Sequence, residues 1–282
     1  MTAAPALTPQ IAELIAPLRS DPGSAAVLCD VDGTLAPIVS DPEDAAVPAR
    51  TQENLRELAR RYRLVACVSG RRAVEARRLV RVDELAYAGN HGLELLMPGA
   101  DEAILEPAVE EGGRAVRQFV LGLEPDAPGD AGLRLEDKGP IQALHWRGAG
   151  DEEAAEERAR LIADEARHAG LEPHWGRKVL EIRPTSEIDK GTAVKRLLAD
   201  DRIEQALFAG DDSTDLDAFR ALRSLVEVAR LRGAVCIGIG SAEGPPELAE
   251  QADAVVGGPE EFLGVLTALA QPRDGASGTA RG

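Results

Sequence analysis

The sequence predicts an α/β fold: a parallel sheet covered by helices on both faces, with a smaller α+β domain inserted in the middle of the chain. Three observations carry that prediction. Four short apolar runs, AAVLCDVDG (25–33), LVACVSGR (64–71), ALFAGDDS (206–213) and GAVCIGIG (233–240), end in polar or glycine-rich turns and have the length and β-branched content of buried strands. Helical patterns lie between them, and strands alternating with helices imply a parallel sheet. The middle of the chain breaks this rhythm, pairing short strand-like stretches with one long amphipathic helix.

Taken in order, Leu7 to Leu18 reads as a short helix, and the first strand run follows. PARTQENLRELARRY (48–62) reads as a helix leading to the second run. LRLEDKGPIQALHWR (133–147) reads as two strands around Lys138-Gly139-Pro140. DEEAAEERARLIADEARHAG (151–170) is a helix with acids in its first turns, His168 near its end as a favourable cation, and Gly170 as a stop. LEPHWGRKVLEIRP (171–184) reads as two more strands around Gly176. DKGTAVKRLLAD (189–200) and TDLDAFRALRSL (214–225) are helices flanking the third strand run. These segments divide the chain into a first core segment at 22–106, an insert at 107–185, a second core segment at 186–267 and a disordered tail at 268–282.

With 282 residues, the chain can bury a sizeable core. A net charge of −17 argues against nucleic acid or an anionic membrane as partner, and no run reaches the roughly 20 apolar residues of a membrane span. The N-terminal stretch lacks the basic start and long apolar run of a signal peptide, so a cytoplasmic location is expected. Cys29, Cys67 and Cys236 sit in apolar runs and read as buried, reduced thiols. No CxxC pair or HExxH spacing points to structural zinc. The composition leaves the oligomeric state open.

In a parallel sheet, ligands bind at the carboxyl ends of the strands, where DVD, SGR and GDD fall. Asp30 ends the first run and Asp32 lies on its turn; two carboxylates so close repel each other unless a cation intervenes. Mg²⁺ prefers one or two carboxylates plus phosphate oxygens and waters, and Asp211 and Asp212 at another strand end could complete such a site. A single DxD can equally be a solvated turn, but carboxylates gather here at two strand ends. Lysine occurs only at 138, 178, 190 and 195, and Lys190 falls near a helix N-terminus, where the dipole disfavours a cation. That placement points to an anion held by Lys190 and strand-end amides, with a surface lysine as the other reading. Ser69 and Gly70 supply a hydroxyl and an N–H to an oxyanion, or simply form a turn.

DVDGT (30–34), Ser69, Lys190 and GDDSTD (210–215) stand in the order and spacing of the four motifs of the haloacid dehalogenase superfamily, which the chain resembles. It is more closely similar to trehalose-6-phosphate phosphatases, through SGR (69–71), GNHG (89–92), EDKG and ALHWR (136–147), LEIRP (180–184), DKG (189–191) and GDDSTDLDAF (210–219). One departure is Leu216, where the last motif most often carries an acid; it touches packing more than chemistry.

The resemblance implies a Rossmann-like haloacid dehalogenase core with the insert as a cap, and Mg²⁺-dependent hydrolysis of trehalose 6-phosphate, a disaccharide phosphate, as the last step of trehalose biosynthesis. It implies Asp30 as nucleophile, Asp32 as acid and base, and Thr34, Ser69, Gly70 and Lys190 around the phosphoryl oxygens. Metal ligation falls to Asp30, Asp32 through its carbonyl, Asp211 and Asp212. The roles of Asp212 and Asp215, holding a metal-bound water or orienting Lys190, stay open. Sugar contacts fall to Asn90 and His91 from the core, and to Lys138, Arg147, Glu181 and Arg183 from the insert. His91 can instead only pack, and His145 and Trp146 belong to a strand core or rim. The alternatives are another capped sugar phosphatase, acting on sucrose or mannosylglycerate phosphate, and a silent sugar-phosphate-binding regulatory domain. The second would show loss of Asp30 or Asp32, and both are present. A phosphomutase would need a means of returning phosphate to the sugar, and nothing in the sequence indicates one.

Overall fold

The computed structural model describes residues 7–39, 45–105, 107–123, 132–185, 188–240 and 244–272. Two compact units divide the chain, Met1–Ala103 with Ile188–Gly282, and Ile104–Glu187.

The first unit begins with α1 (Pro9–Leu14) and α2 (Ala16–Ser20). The sequence predicts one helix here, but Pro17 has no N–H to continue the ladder, and the chain breaks at Ile15. Then follow β1 (Ala25–Cys29), α3 (Ala49–Arg61), β2 (Leu64–Val68), α4 (Ala73–Val80), β3 (Ala86–Gly89) and β4 (Glu94–Leu96). Strand β5 (Ile104–Leu105) marks the passage into the second unit, which contains α5 (Pro107–Gly122), β6 (Arg134–Asp137), β7 (Gln142–His145), α6 (Glu152–His168), β8 (Glu172–Gly176) and β9 (Val179–Arg183). The chain returns through α7 (Lys190–Leu197), β10 (Gln205–Gly210), α8 (Asp215–Glu227), β11 (Gly233–Ile239), α9 (Pro246–Gln251), β12 (Ala254–Val256) and α10 (Pro259–Ala270). Helix α10 continues past residue 267 because Leu269 and Ala270 are buried in the core; the expected tail otherwise falls largely outside the described residues.

The main sheet has the order β12-β11-β10-β1-β2-β3-β4-β5, with every pair from β12 to β3 parallel and β3–β4 antiparallel. Alternate residues of β1 enter opposite cores: Val27 and Cys29 join Leu55, Leu58, Val80 and Phe262 on one face, while Ala26 and Leu28 join Val194, Phe208, Phe219 and Leu222 on the other. Burial on both faces explains why these strands read as unbroken apolar runs. β1 lies between β10 and β2, and its chain departs toward β2, so the order reverses beside it and a crevice opens at its carboxyl end.

The second unit is an antiparallel sheet, β6-β7-β9-β8, with one face on its helices. Leu144, Leu180 and Ile182 pack against Ala155, Ala159, Ile162 and Val116. The β8–β9 turn falls at Arg177-Lys178, with Lys178 in the left-handed region at φ 59°, and Gly176 is the last residue of β8 rather than the turn itself. Asp151 caps α6 by accepting the Ala154 N–H at 3.0 Å.

Candidate active site

Strand β1 delivers Asp30 to the crevice, its own N–H bonded to the Ala209 carbonyl of β10 at 2.8 Å. The residue is 4% exposed. Lys190 opens α7, whose N-cap is Asp189, and its Nζ donates to Asp30 Oδ1 and to Asp215 Oδ1, each at 2.7 Å. The other oxygen of Asp215, Oδ2, accepts the N–H groups of Asp211 and Asp212 at 3.0 Å each. An ammonium has three hydrogens, so Lys190 keeps one for a ligand after serving both acids.

Burial alone would favour the neutral amine of Lys190, but the charges of Asp215 and Asp30 outweigh it and raise its pKa. Burial pushes the Asp30 carboxyl well above the ordinary range, with Asp215 and Asp211 adding to the rise against the pull of Lys190. Asp211 is raised to about 7, by burial first and then by the charge of Asp215. Oxygens of Asp30, Asp211 and Asp215 lie within 4.8 Å of one another. Three buried carboxylates against one ammonium leave surplus negative charge, which a divalent cation neutralises. Both oxygens of Asp215 are engaged by Lys190 and the loop amides, leaving Asp30 and Asp211 as the better placed donors. Asp212 is exposed, its Oδ1 accepting the Ser213 N–H at 2.6 Å and its hydroxyl at 3.1 Å. The structure thus brings Asp215 into the acidic cluster, where the sequence reading placed Asp212.

Gly33 has φ 82°, and a Cβ there would lie 2.1 Å from Asp211 Oδ2, so glycine is what lets the two loops close on each other. Thr34 is fully buried and donates its hydroxyl hydrogen to Asp211 Oδ1 at 3.2 Å. In this state its hydroxyl steadies the acid rather than offering a hydrogen to a phosphate. Ser69 Oγ accepts the Arg71 N–H at 3.1 Å, which leaves the Ser69 hydroxyl hydrogen available as a donor. The ring of His91 lies over Gly70, where an added Cβ would meet it at 2.7 Å. Asn90 and His91 both have left-handed backbone, held by Asn90 N–H to Arg71 O at 2.8 Å and His91 N–H to Ser69 O at 3.0 Å. Strain of this kind persists only where surrounding contacts impose it.

The sequence reading missed the role of Arg71. Its guanidinium grips Asp32 with two bonds of 2.7 Å, Nε to Oδ2 and NH2 to Oδ1. No local stretch of sequence carried the signal; only the strand register, with Cys29 paired to Cys67, brings Asp32 level with Gly70 just beyond the strand ends, beside Arg71.

In the second unit, Lys138 Nζ donates to Glu181 Oε1 at 2.9 Å, while Arg183 reaches Glu181 Oε2 with Nε at 3.0 Å and NH2 at 2.6 Å. Glu181 is level with Ala143 and His174 on the sheet face opposite Leu180 and the helices. His145 pairs with Glu136 at 2.6 Å on that same face, and the contact lowers the Glu136 pKa. Trp146 is core. Arg147 stands apart, exposed past the far end of β7 and directed to the Arg177 carbonyl at 3.5 Å.

A buried carboxylate beside a lysine, at the reversal point of a parallel sheet, is the arrangement that this fold and strand-end geometry place where ligands of such sheets bind. The chain belongs to the trehalose-phosphatase family, whose model matches residues 28–246. It is 32% identical over 214 residues to trehalose 6-phosphate phosphatase RA3 of Zea mays, covering 70% of this chain and 58% of that protein. It is likewise 32% identical over 209 residues to trehalose-phosphate phosphatase B of Arabidopsis thaliana, covering 69% and 55%. The chain thus spans a little over half the length of these plant relatives. A solved structure described as a trehalose-6-phosphate phosphatase related protein superposes with a TM-score of 0.66 at 25% identity, covering 87% of this chain and 96% of that one.

Proposed function

We propose that the chain hydrolyses the phosphate ester of trehalose 6-phosphate, releasing trehalose and inorganic phosphate. One observation carries the chemistry: Asp30, buried at a strand end, has one oxygen held by Lys190 at 2.7 Å while the other remains for phosphorus. In this reading Asp30 attacks phosphorus, the bond from phosphorus to the sugar oxygen breaks, and Asp32 gives that oxygen a proton. Water then attacks the aspartyl-phosphate and passes its proton to Asp32; the phosphorus bond to Asp30 breaks and the carboxylate is restored. For its proton transfers Asp32 must loosen from the Arg71 fork. Ser69 and the third hydrogen of Lys190 hold the phosphoryl oxygens. Mg²⁺, held by Asp30, Asp211 and the Asp32 carbonyl, would supply charge neutralisation at the phosphoryl group.

Substrate choice is assigned to Lys138, Glu181 and Arg183, with Asn90 and His91 as further sugar contacts. Charged donors and acceptors on one sheet face suit hydroxyl recognition. A cytoplasmic site of action completes the reading, supported by three buried free thiols. Among the described residues, no helix is long and apolar enough to cross a membrane. The deciding experiment is phosphate release from a panel of disaccharide phosphates with Mg²⁺ or with excess chelator. Trehalose 6-phosphate should be turned over fastest and only with the cation; preference for sucrose or mannosylglycerate phosphate would replace the substrate.

A further inference from the structure

The chain has eight aromatic side chains, and seven are buried or half-buried. Trp175 is the exception, at 39% exposure on the edge strand β8. Its indole meets the buried Trp146 edge to face, with centroids 5.9 Å apart and planes at 75°. Beside it lies a surface cavity of about 490 Å³ lined by Glu156, Arg160, Asp164, Arg167 and Trp175. Trp175 is level with Leu180, which packs on the helices, so this cavity is on the helix side of the sheet and Glu181 is on the other.

The lining has a definite chemistry. Arg160 pairs with Glu156 at 2.6 Å and Arg167 with Asp164 at 2.5 Å. The four charges cancel, so nothing in the cavity selects for an ionic ligand. Two carboxylates and two guanidiniums nevertheless present a dense set of acceptors and donors, each braced by its partner. An indole partly open to solvent offers an apolar platform braced from behind by a second indole. Neutral charge, paired and solvent-facing hydrogen-bonding groups and one aromatic platform together match a saccharide, which has an apolar C–H face and a rim of hydroxyls. We propose that this cavity is a second, non-catalytic saccharide site for an uncharged mono- or disaccharide, stacked on Trp175 and bonded by Arg160, Asp164 and Arg167. The inference rests on the cavity alone and does not depend on the substrate proposed above.

The two tryptophans of the chain are Trp146 and Trp175 themselves, so intrinsic tryptophan fluorescence reads this pair and nothing else. The test titrates the full-length protein, metal-free, with glucose, trehalose and maltose, and with inorganic phosphate as the ionic control. A saturable emission change with at least one neutral sugar and none with phosphate is expected. Arg160→Ala and Arg167→Ala should each raise the half-saturating sugar concentration roughly tenfold or more, the loss of one charge-assisted hydrogen bond. Glu181→Ala should leave it unchanged. Calorimetry on Trp175→Ala, with thermal unfolding as the check on its fold, should show the heat of sugar binding at this site gone. The proposal is overturned by the absence of any saturable change, by an equal response to phosphate, or by a signal that disappears in Glu181→Ala and survives in Arg160→Ala.

Discussion

The two units each contain a carboxylate cluster clamped by cations, and the clusters are built in different ways. In the first unit, Asp30, Lys190 and Asp215 come from β1, α7 and α8, with 160 residues between the first two, and all are essentially sealed from solvent. In the second, Lys138, Glu181 and Arg183 come from one hairpin end and one strand of a single small sheet, with side chains 10–17% exposed. A buried ion pair on elements distant in sequence cannot relax when one partner is lost, because burial leaves the survivor uncompensated. A cluster on one sheet face can be rehydrated and re-form around a ligand. The first arrangement suits a reaction whose atoms must not move; the second suits recognition of hydroxyls that can be exchanged for water.

The comparison breaks most visibly at Asp30. Asp30→Asn should lower turnover by several orders of magnitude on sugar and aryl phosphates alike, since a covalent nucleophile has no substitute; single-turnover assays that find substantial activity would remove the mechanism. Lys190→Ala should also damage both substrate types alike, because the proposed mechanism has Lys190 serve the phosphoryl group. Asp32→Asn, by contrast, should slow phosphorylation by alkyl phosphates far more than by aryl phosphates, since a phenolate leaves without protonation.

A smaller effect separates the units. Lys138→Ala or Glu181→Ala should cut kcat/KM for trehalose 6-phosphate by roughly ten- to a hundredfold, at about 1.5–3 kcal/mol per charge-assisted bond. Hydrolysis of a small aryl phosphate should be nearly unchanged. If the ratio of the two activities stays at the wild-type value in folded variants, the sugar is recognised elsewhere.

Protons sharpen the comparison further. The folded-state pKa of Asp211 is raised to about 7. A raised carboxyl gives stability that is present below the ordinary carboxylate range and lost as pH climbs through the folded value. The metal-free protein should therefore lose thermal stability between about pH 4 and pH 7, and Mg²⁺ should raise the melting temperature more at the upper end. Equal cation shifts at both ends, measured by calorimetry, would separate the acids from the metal. The smallest effect is local to the second unit. Asp151→Ala removes the cap of α6 and should lower stability by about 1 kcal/mol in denaturant titrations, leaving aryl phosphate turnover intact.

Much of the first unit was legible because its information is contiguous. β1, β2, β10 and β11 are two-sided buried strands, and each reads as an apolar run ending in a polar loop. β3 was not, because three of the four residues in Ala86-Tyr87-Ala88-Gly89 are small and Tyr87 alone favours a strand. β12 has three residues, too few for any period to show. In the site, DVD and GDD pointed to a cation, but the choice between Asp212 and Asp215 turns on which side chain the loop folds inward, and Asp215 is fully buried where Asp212 is not. The Asp32–Arg71 fork was invisible for a different reason: the two residues meet only once parallel strands align. Arg147 illustrates the opposite error, since a residue close in sequence to His145 is carried past the end of the sheet by the strand itself.

The pairing of Ala25 with Gln205 has a consequence for the order in which the protein comes into being. The central strand of the sheet leaves the ribosome about 180 residues before the neighbour that completes it. At the usual rate of about 5–20 residues per second, that is a delay of roughly 10 to 40 s. The second unit is contiguous and can fold within that interval, while Asp30 waits on a strand flanked on one side only. Long-range parallel pairing is intrinsically slow to form. A nascent chain arrested before residue 205 should therefore be protease-resistant through the second unit and sensitive around β1, and it carries Asp30 without its Lys190 and Asp215 partners until nearly the last strands emerge.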